Sequence, residues 1–220
     1  MLIDGPVETV AAAFHALQQR DWRALAEKIS PESLSQIQQM QTGSLLALEL
    51  FPFDSATRSG GSMVAINSTG IDAGHERTRI RAMPGSPTLA ELRALSPTDF
   101  FVQWQEACYR RSVWLSLYAW MWGLFHKDDQ QDDPPAVVGV VLEGNDLAHV
   151  VYHRTGLMHP WERSVLTVRR DGDGWLLVLD PFSHADPFRE GQAWLMMRAM
   201  TPRFFKAKLT SWLPWTRKTS

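Results

Sequence analysis

The first fifty residues follow the alternation of apolar and polar positions that an amphipathic helix shows. Apolar Val10 and Phe14 recur at helical spacing, on a run that begins with a proline, which the first turn of a helix tolerates. Asp21 is predicted to cap a short second helix. Ser30, followed by a proline and a glutamate, predicts the start of a third helix that extends to about Leu50.

The next part of the chain, residues 52–87, is rich in Gly, Ser and Pro and is predicted to be an inserted loop. It contains one candidate strand, "SMVAINS" at residues 62–68. Such a segment either covers the domain or moves as an insertion. Helix is predicted again over residues 86–95. A further start signal at Ser96 predicts a long apolar helix that continues to about residue 125.

After residue 135 the period of the apolar positions changes from that of helices to that of strands. The predicted strands are "AVVGVVLEG", "DLAHVVYHRTG", "RSVLTVRRDG" and "GWLLVLDP". The stretch "DGDG" at residues 171–174 predicts a tight hairpin between the last two. The stretch between the second and third strands, which includes His159, is predicted to be a loop. Helices followed by an antiparallel meander predict an α+β fold.

Two segments resemble the NTF2-like (SnoaL-like, cone-shaped) superfamily: "VAAAFHALQQRDWRALAEKISPE" near the start and "EGNDLAHVVYHRT" with "RSVLTVRRDGDGWLLVLD" towards the end. The resemblance implies N-terminal helices packed on a curved antiparallel sheet that encloses a pocket. Residues 1–187 would form this domain, with residues 52–87 as an insertion and residues 188–220 as a helical, basic and aromatic extension. The superfamily includes isomerases, dehydratases, hydrolases and non-catalytic binding proteins, and many members dimerise through a sheet face. The resemblance therefore implies a pocket without selecting a reaction.

Composition narrows the functional classes. Of the 220 residues, 45% are hydrophobic and 21% are charged, with a net charge of −2, which is not the signature of a nucleic-acid-binding protein. The single cysteine, Cys108, lies in an apolar helical run and is predicted to be a buried structural thiol. The first residues lack the pattern of a secretion signal, and the longest apolar stretch is too short to span a bilayer. We therefore expect a cytoplasmic protein.

His149 and His153 raise the question of a metal site, because they are four residues apart. On a helix that spacing would place both imidazoles on one face, but on a strand it separates them by about 13 Å. A shared metal is therefore not expected, and no metal or cofactor is predicted. The two histidines share a strand face with Leu147 and Val151. That face is predicted to be either the wall of a cavity or the surface where two sheets meet.

Acid/base chemistry inside the cone would use Tyr152, His149, His153 and Asp180 as candidate catalytic residues. Structural roles compete with each of these assignments, since an aspartate before a proline often simply ends a strand. Four aromatic residues are candidates for binding a flat apolar ligand, although core packing competes for them: Trp104, Trp114, Tyr118 and Trp122. The chain contains no phosphate loop, dinucleotide fingerprint, zinc spacing or serine-hydrolase elbow.

The last twenty residues, 201–220, contain five basic residues, no acidic residue and several aromatic ones. This segment would pack on its own domain, bind a partner or lie on an anionic membrane surface. The favoured hypothesis is a non-catalytic protein that binds a small apolar ligand, assembles as a homodimer through the sheet face, or does both. An isomerase, dehydratase or hydrolase is a second hypothesis and a peripheral membrane protein is a third, so the sequence leaves enzymatic activity open.

Overall fold

A computed structural model of the chain describes residues 5–50, 74–109, 135–156 and 159–179, and it has the α+β architecture that the sequence predicts. The described helices are α1 (Pro6–Gln19), α2 (Trp22–Ala26), α3 (Pro31–Leu50), α4 (Leu89–Ala94) and α5 (Pro97–Tyr109). The described strands are β1 (Ala136–Glu143), β2 (Leu147–Gly156), β3 (His159–Asp171) and β4 (Gly174–Val178).

The predicted helix starts are confirmed by side chains that accept hydrogen bonds from otherwise unpaired backbone N–H groups. Asp21 Oδ1 accepts from the backbone N–H of Ala24 at 3.0 Å, at the start of α2. Ser30 Oγ accepts from the backbone N–H of Ser33 at 3.2 Å, where α3 begins. Each cap acts within three residues, which is why these starts are visible in the sequence.

The start of α5 combines a cap with an ion pair. Ser96 Oγ accepts from the backbone N–H of Asp99 at 3.1 Å and donates to its Oδ2 at 2.7 Å. Arg23 of α2 reaches the other carboxylate oxygen at 2.6 Å, which connects α2 to α5. The hydrogen bond from Ser96, and then the one from Arg23, lower the pKa of Asp99 below its ordinary value because both favour the ionised carboxylate.

The four strands form one antiparallel meander in the order β1-β2-β3-β4, as the sequence predicts. Asp171 pairs with Gly174 across the β3–β4 turn, and Gly172 there has a φ of 57°, which glycine adopts without a steric penalty. A β-bulge interrupts β1 between Val137 and Gly139. The regular part of β1 is therefore the stretch from Gly139 to Glu143.

The prediction that His159 lies in a loop is wrong. Its Cα pairs with that of Gly156, so β3 begins at His159 and the connection to β2 is short. The glycine and proline of "TGLMHPWE" are typical of loops, but a proline near the start of a strand is tolerated. Pairing along the length of β2 therefore outweighs the local turn signals.

The hydrophobic core lies between the helices and one face of the sheet. On that face Ala148, Val150 and Tyr152 of β2 are fully buried, as are residues that pair beside them on β3 and β4. The ring of Phe14 in α1 packs on that of Tyr152 with centroids 5.1 Å apart. The prediction that Cys108 is a buried thiol is confirmed.

The outer edge of β4 is paired with the segment between α2 and α3. The backbone N–H of Ser30 donates to the carbonyl of Leu177 at 2.8 Å, and the N–H of Leu177 donates to the carbonyl of Lys28 at 2.7 Å. The backbone N–H of Leu179 donates to Ser33 Oγ at 3.0 Å. This edge of the sheet therefore has its backbone groups satisfied from within the chain.

The predicted insertion is described only from residue 74 onwards, and this part packs into the core through the buried side chains of Ile80 and Met83. The candidate strand at residues 62–68, the helical continuation to residue 125 and the extension at 188–220 lie outside the described residues. In the described ranges, no helix combines the length and the apolar character needed to cross a bilayer.

Replacing Phe14 by alanine is expected to lower the free energy of unfolding by about 3–5 kcal/mol, because the change opens a cavity beside Tyr152. Urea denaturation followed by circular dichroism measures the effect. His15→Ala is the matched control, since His15 is exposed on the same helix. An equal loss in both variants would contradict the packing of α1 on the sheet.

Replacing Asp99 by asparagine is expected to lower stability at neutral pH, because the neutral amide loses the charge-assisted contacts to Ser96 and Arg23. A carboxylate with a lowered pKa stabilises the fold above its unfolded pKa, and this stabilisation is lost as the pH falls through the folded pKa. The wild type and the variant should thus converge in stability as the pH falls below about 4. Asp173→Asn, in an exposed turn, provides the control. A gap that persists at low pH would contradict the assignment.

Candidate functional site: the outer face of the sheet

The two faces of the sheet have different environments, because successive side chains of a strand point to opposite sides. The inner face packs against the helices. The opposite side, here called the outer face, is defined by pairing across the strands. Its residues are Gly139, Val141 and Glu143 of β1, Leu147, His149, Val151 and His153 of β2, Arg163, Val165, Thr167 and Arg169 of β3, and Leu176 and Val178 of β4.

His149 is held in place on the outer face by two side chains. Its Nε2 lies 2.9 Å from Oε2 of Glu143, and its Nδ1 lies 3.2 Å from Oγ1 of Thr167. An ionised carboxylate only accepts hydrogen bonds, so Nε2 carries the proton in this pair. In the neutral imidazole, Nδ1 then accepts from the Thr167 hydroxyl. The ring thus has a defined orientation.

Aliphatic side chains surround this polar group. Val141, which pairs with His149, is 60% exposed, and Val165, on the neighbouring strand β3, is 53% exposed. Val151 lies between them and is partly buried. Four of the five large hydrophobic residues that are exposed in the described ranges lie on β1, and the fifth is Val165. Of these five, Val141 and Val165 lie on the outer face, next to the partly buried Val151.

His153 lies on the same outer face as His149, as expected for residues four apart on a strand. Its cross-strand neighbours are Ala136 and Arg163, and it is partly buried. Among the residues that the structure describes, no three His, Cys, Asp or Glu side chains come together as metal ligands would.

The candidate catalytic residues are not all brought together. Tyr152 is fully buried on the inner face, where it packs against Phe14, while His149 and His153 are on the outer face. A single cavity that contained Tyr152 and either histidine would have to cross the sheet. Asp180 lies outside the described residues. Acid/base catalysis by this set stays a prediction that the described geometry does not support.

Of the candidate ligand-binding aromatics, only Trp104 is described; Trp114, Tyr118 and Trp122 lie outside the described residues. Trp104 is buried on α5 and packs against Phe101 with ring centroids 6.1 Å apart. Its indole Nε1 is buried without a hydrogen-bond partner in the described structure. A buried N–H that finds no acceptor costs free energy, so this donor calls for an explanation.

The sequence did not identify Glu143 and Thr167 as partners of His149. Glu143 is six residues from His149 across the β1–β2 turn, and Thr167 is eighteen residues away on β3. Only the register of the sheet brings them together. The short turn between β1 and β2 could have predicted the Glu143–His149 contact, because it pairs Glu143 with Leu147 and so places Glu143 diagonally beside His149.

Comparisons of the chain with protein-family models, with curated proteins and with solved structures gave no match.

Replacing Thr167 by valine is expected to shift the ¹⁵N resonance of His149 Nδ1, because the hydroxyl that bonds to it is removed. Nε2 should stay protonated, since Glu143 still accepts from it. We expect the stability to change by less than about 1 kcal/mol, as is usual for one partly exposed hydrogen bond. The resonances of His153 serve as the internal control. An unchanged Nδ1 resonance would contradict the contact.

Proposed function

We propose that this chain is a non-catalytic protein that assembles with a second copy of itself through the outer face of its sheet. The observation that carries the proposal is the exposure of Val141 and Val165 around the ordered His149 group. Isolated exposed aliphatic residues are ordinary, but several grouped on one face of a sheet are typical of an interaction surface. An ordered polar group inside an apolar surface also favours one particular partner arrangement.

The size of the outer face fits a protein partner. The four strands cover about 19 Å across, and β2 extends for about 33 Å. The corresponding footprint is about 600 Å², which is most of the area of about 800 Å² per partner that a stable complex buries. A symmetric pair of such faces would form a sheet-on-sheet core.

Charge favours a second copy over the chain's own C-terminal segment as the occupant. The outer face presents the exposed side chains of Arg163 and Arg169, while its described acid, Glu143, is hydrogen-bonded to His149. Arg169 also pairs with Glu32 of α3. Residues 201–220 are uniformly basic and would be repelled by these arginines. The outer face of a second copy presents the acidic Glu143 as well as the same two arginines, so it carries charges of both signs.

The same proposal includes the NTF2-like cone. The support for it is coarse: capped helices precede a four-stranded antiparallel meander, an α+β arrangement that other folds share. A cytoplasmic location is also part of the proposal, since a chain whose single cysteine is buried suits a reducing compartment.

Binding of a small apolar ligand is the second candidate function, and the buried Nε1 of Trp104 favours it. A ligand with an apolar body and one acceptor atom would satisfy this donor. Native mass spectrometry of the purified protein would reveal a co-purifying molecule. The Trp104→Phe variant lacks the indole N–H but keeps an aromatic ring, so it should retain less of the co-purifying molecule. Equal retention by both proteins would contradict a role for Trp104.

Neither enzymatic catalysis nor membrane binding receives support from the described residues. The enzyme hypothesis needs at least two of Tyr152, His149, His153 and Asp180 in one cavity; Tyr152 lies on the opposite face of the sheet from the two histidines, and Asp180 lies outside the described residues. A peripheral membrane protein would act through residues 201–220, which lie outside the described residues. Sedimentation with anionic liposomes, with and without this segment, tests for membrane binding.

Replacing Val165 by lysine is expected to halve the mass of the assembly in native mass spectrometry. A charge that is buried without a partner costs several kcal/mol, and 1.4 kcal/mol already corresponds to a tenfold weaker association. Sedimentation velocity should therefore show at least a tenfold higher dissociation constant. Ala11→Lys provides the matched control, because Ala11 is exposed on α1. A monomeric wild type, or a variant that assembles as well as the control, would refute the proposal.

A further inference from the structure

Part of the exposed apolar surface is not explained by an outer-face contact. Val140 and Leu142 point to the inner side of the sheet, because they pair with the buried Val150 and Ala148 of β2. They are nevertheless 41% and 62% exposed. Near Val137, in contrast, β1 is packed against the core, and α1 contacts this strand. The second half of β1 thus presents aliphatic side chains on both sides, including Val141.

This half of β1 also forms a sheet edge. The segment Lys28–Ser30 pairs with the outer edge of β4, whereas no segment among the described residues pairs with the outer edge of β1. Proteins usually protect an open edge with lysines, prolines or bulges. The bulge at Val138 interrupts the first half of β1 only, and residues 139–142 contain no charge. Such an edge is suited to pair with another strand.

We propose that the β1 edge, defined as residues 139–143, pairs antiparallel with the same residues of a second copy. The stretch is bounded by the bulge at Val138 and by Gly144, whose φ of 70° begins the turn. When all five residues pair, Val141 of one copy lies opposite Val141 of the other. Val140 then lies beside Leu142 of the second copy, so the four exposed aliphatic side chains on the inner side cover one another.

Charge is consistent with this self-pairing. Glu143 is the one charged residue of the β1 edge, and in this arrangement it lies opposite Gly139 of the second copy. The two carboxylates are then four residues apart along the strands, or about 13 Å. A twofold axis through Val141 makes the contact self-complementary and closed. The contact shares Gly139, Val141 and Glu143 with the outer face, but it is made through the backbone edge of β1 and does not involve β3, so Val165→Lys separates the two contacts.

The test uses the full chain with two substitutions, Val141→Cys and Val165→Lys. The lysine removes the outer-face contact, and the cysteine reports pairing at the edge, because directly opposite residues of antiparallel strands have the Cα separation that a disulfide needs. We expect mild oxidation to yield a disulfide-linked dimer in most of the protein. Adding Leu142→Lys should reduce this yield at least fivefold, since lysines on an edge strand oppose pairing. The chain that keeps only the buried Cys108 is the control for other cross-links.

Two outcomes would overturn the edge proposal. The first outcome is that the Val141→Cys variant cross-links but the variant with both Val141→Cys and Val165→Lys does not. This outcome would assign the contact to the outer face. The second outcome is that no cross-link forms, with or without Val165→Lys, and that the amides of residues 139–143 are equally protected from hydrogen exchange at low and high protein concentration. This outcome would show that the edge is covered by the chain itself. Protection that rises with concentration would support pairing between copies. Circular dichroism of each variant verifies that it folds.

Discussion

The packing of α1 against the inner face of β2 sets the orientation of the whole sheet. Phe14 contacts Tyr152, and Ala148 and Val150 are buried on the same face. Because strand side chains alternate, burying these residues obliges His149 to point away from the core. A shift of the pairing by one residue would exchange the two faces and expose the core residues, so the register is strongly specified. The chemistry of the outer face is thus a consequence of the packing on the inner face.

The two edges of the sheet differ because the chain returns to one of them. The backbone between α2 and α3 pairs with β4, and Ser33 adds a side-chain contact to Leu179. That arrangement also anchors the start of α3 at the sheet, so helix capping and edge protection depend on the same few residues. β1 receives no such segment from the described part of the chain. The proposed contact with a second copy uses the exposed valines and the leucine of this strand.

The outer face combines exposed aliphatic side chains with the hydrogen-bonded His149 group, and the proposed association rests on this combination. His149 is restrained by two side chains, the carboxylate of Glu143 and the hydroxyl of Thr167. The buried donor of Trp104 is a separate feature on the helical side. Association through the sheet and binding of a small molecule near the helices would use different layers of the fold and do not exclude each other.

The sequence by itself determined the local elements. Asp21, Ser30 and Ser96 start helices through contacts within three residues, and the turn at Gly172 joins two strands for equally local reasons. The sequence also placed His149 and His153 on one strand face, at a spacing that is too long for a shared metal. These features follow from short-range sterics and hydrogen bonding, which the residues carry wherever the chain places them.

Only the tertiary structure decided which face of β2 is buried, that His159 belongs to a strand, and which residues surround His149. It also decided that one sheet edge is paired and that the aliphatic residues of β1 stay exposed. Most of these depend on contacts between segments far apart in the chain, whereas His159 pairs with Gly156 across a short connection. Free energy from burial and pairing is gained there collectively, and it outweighs local signals such as the glycine and proline around His159.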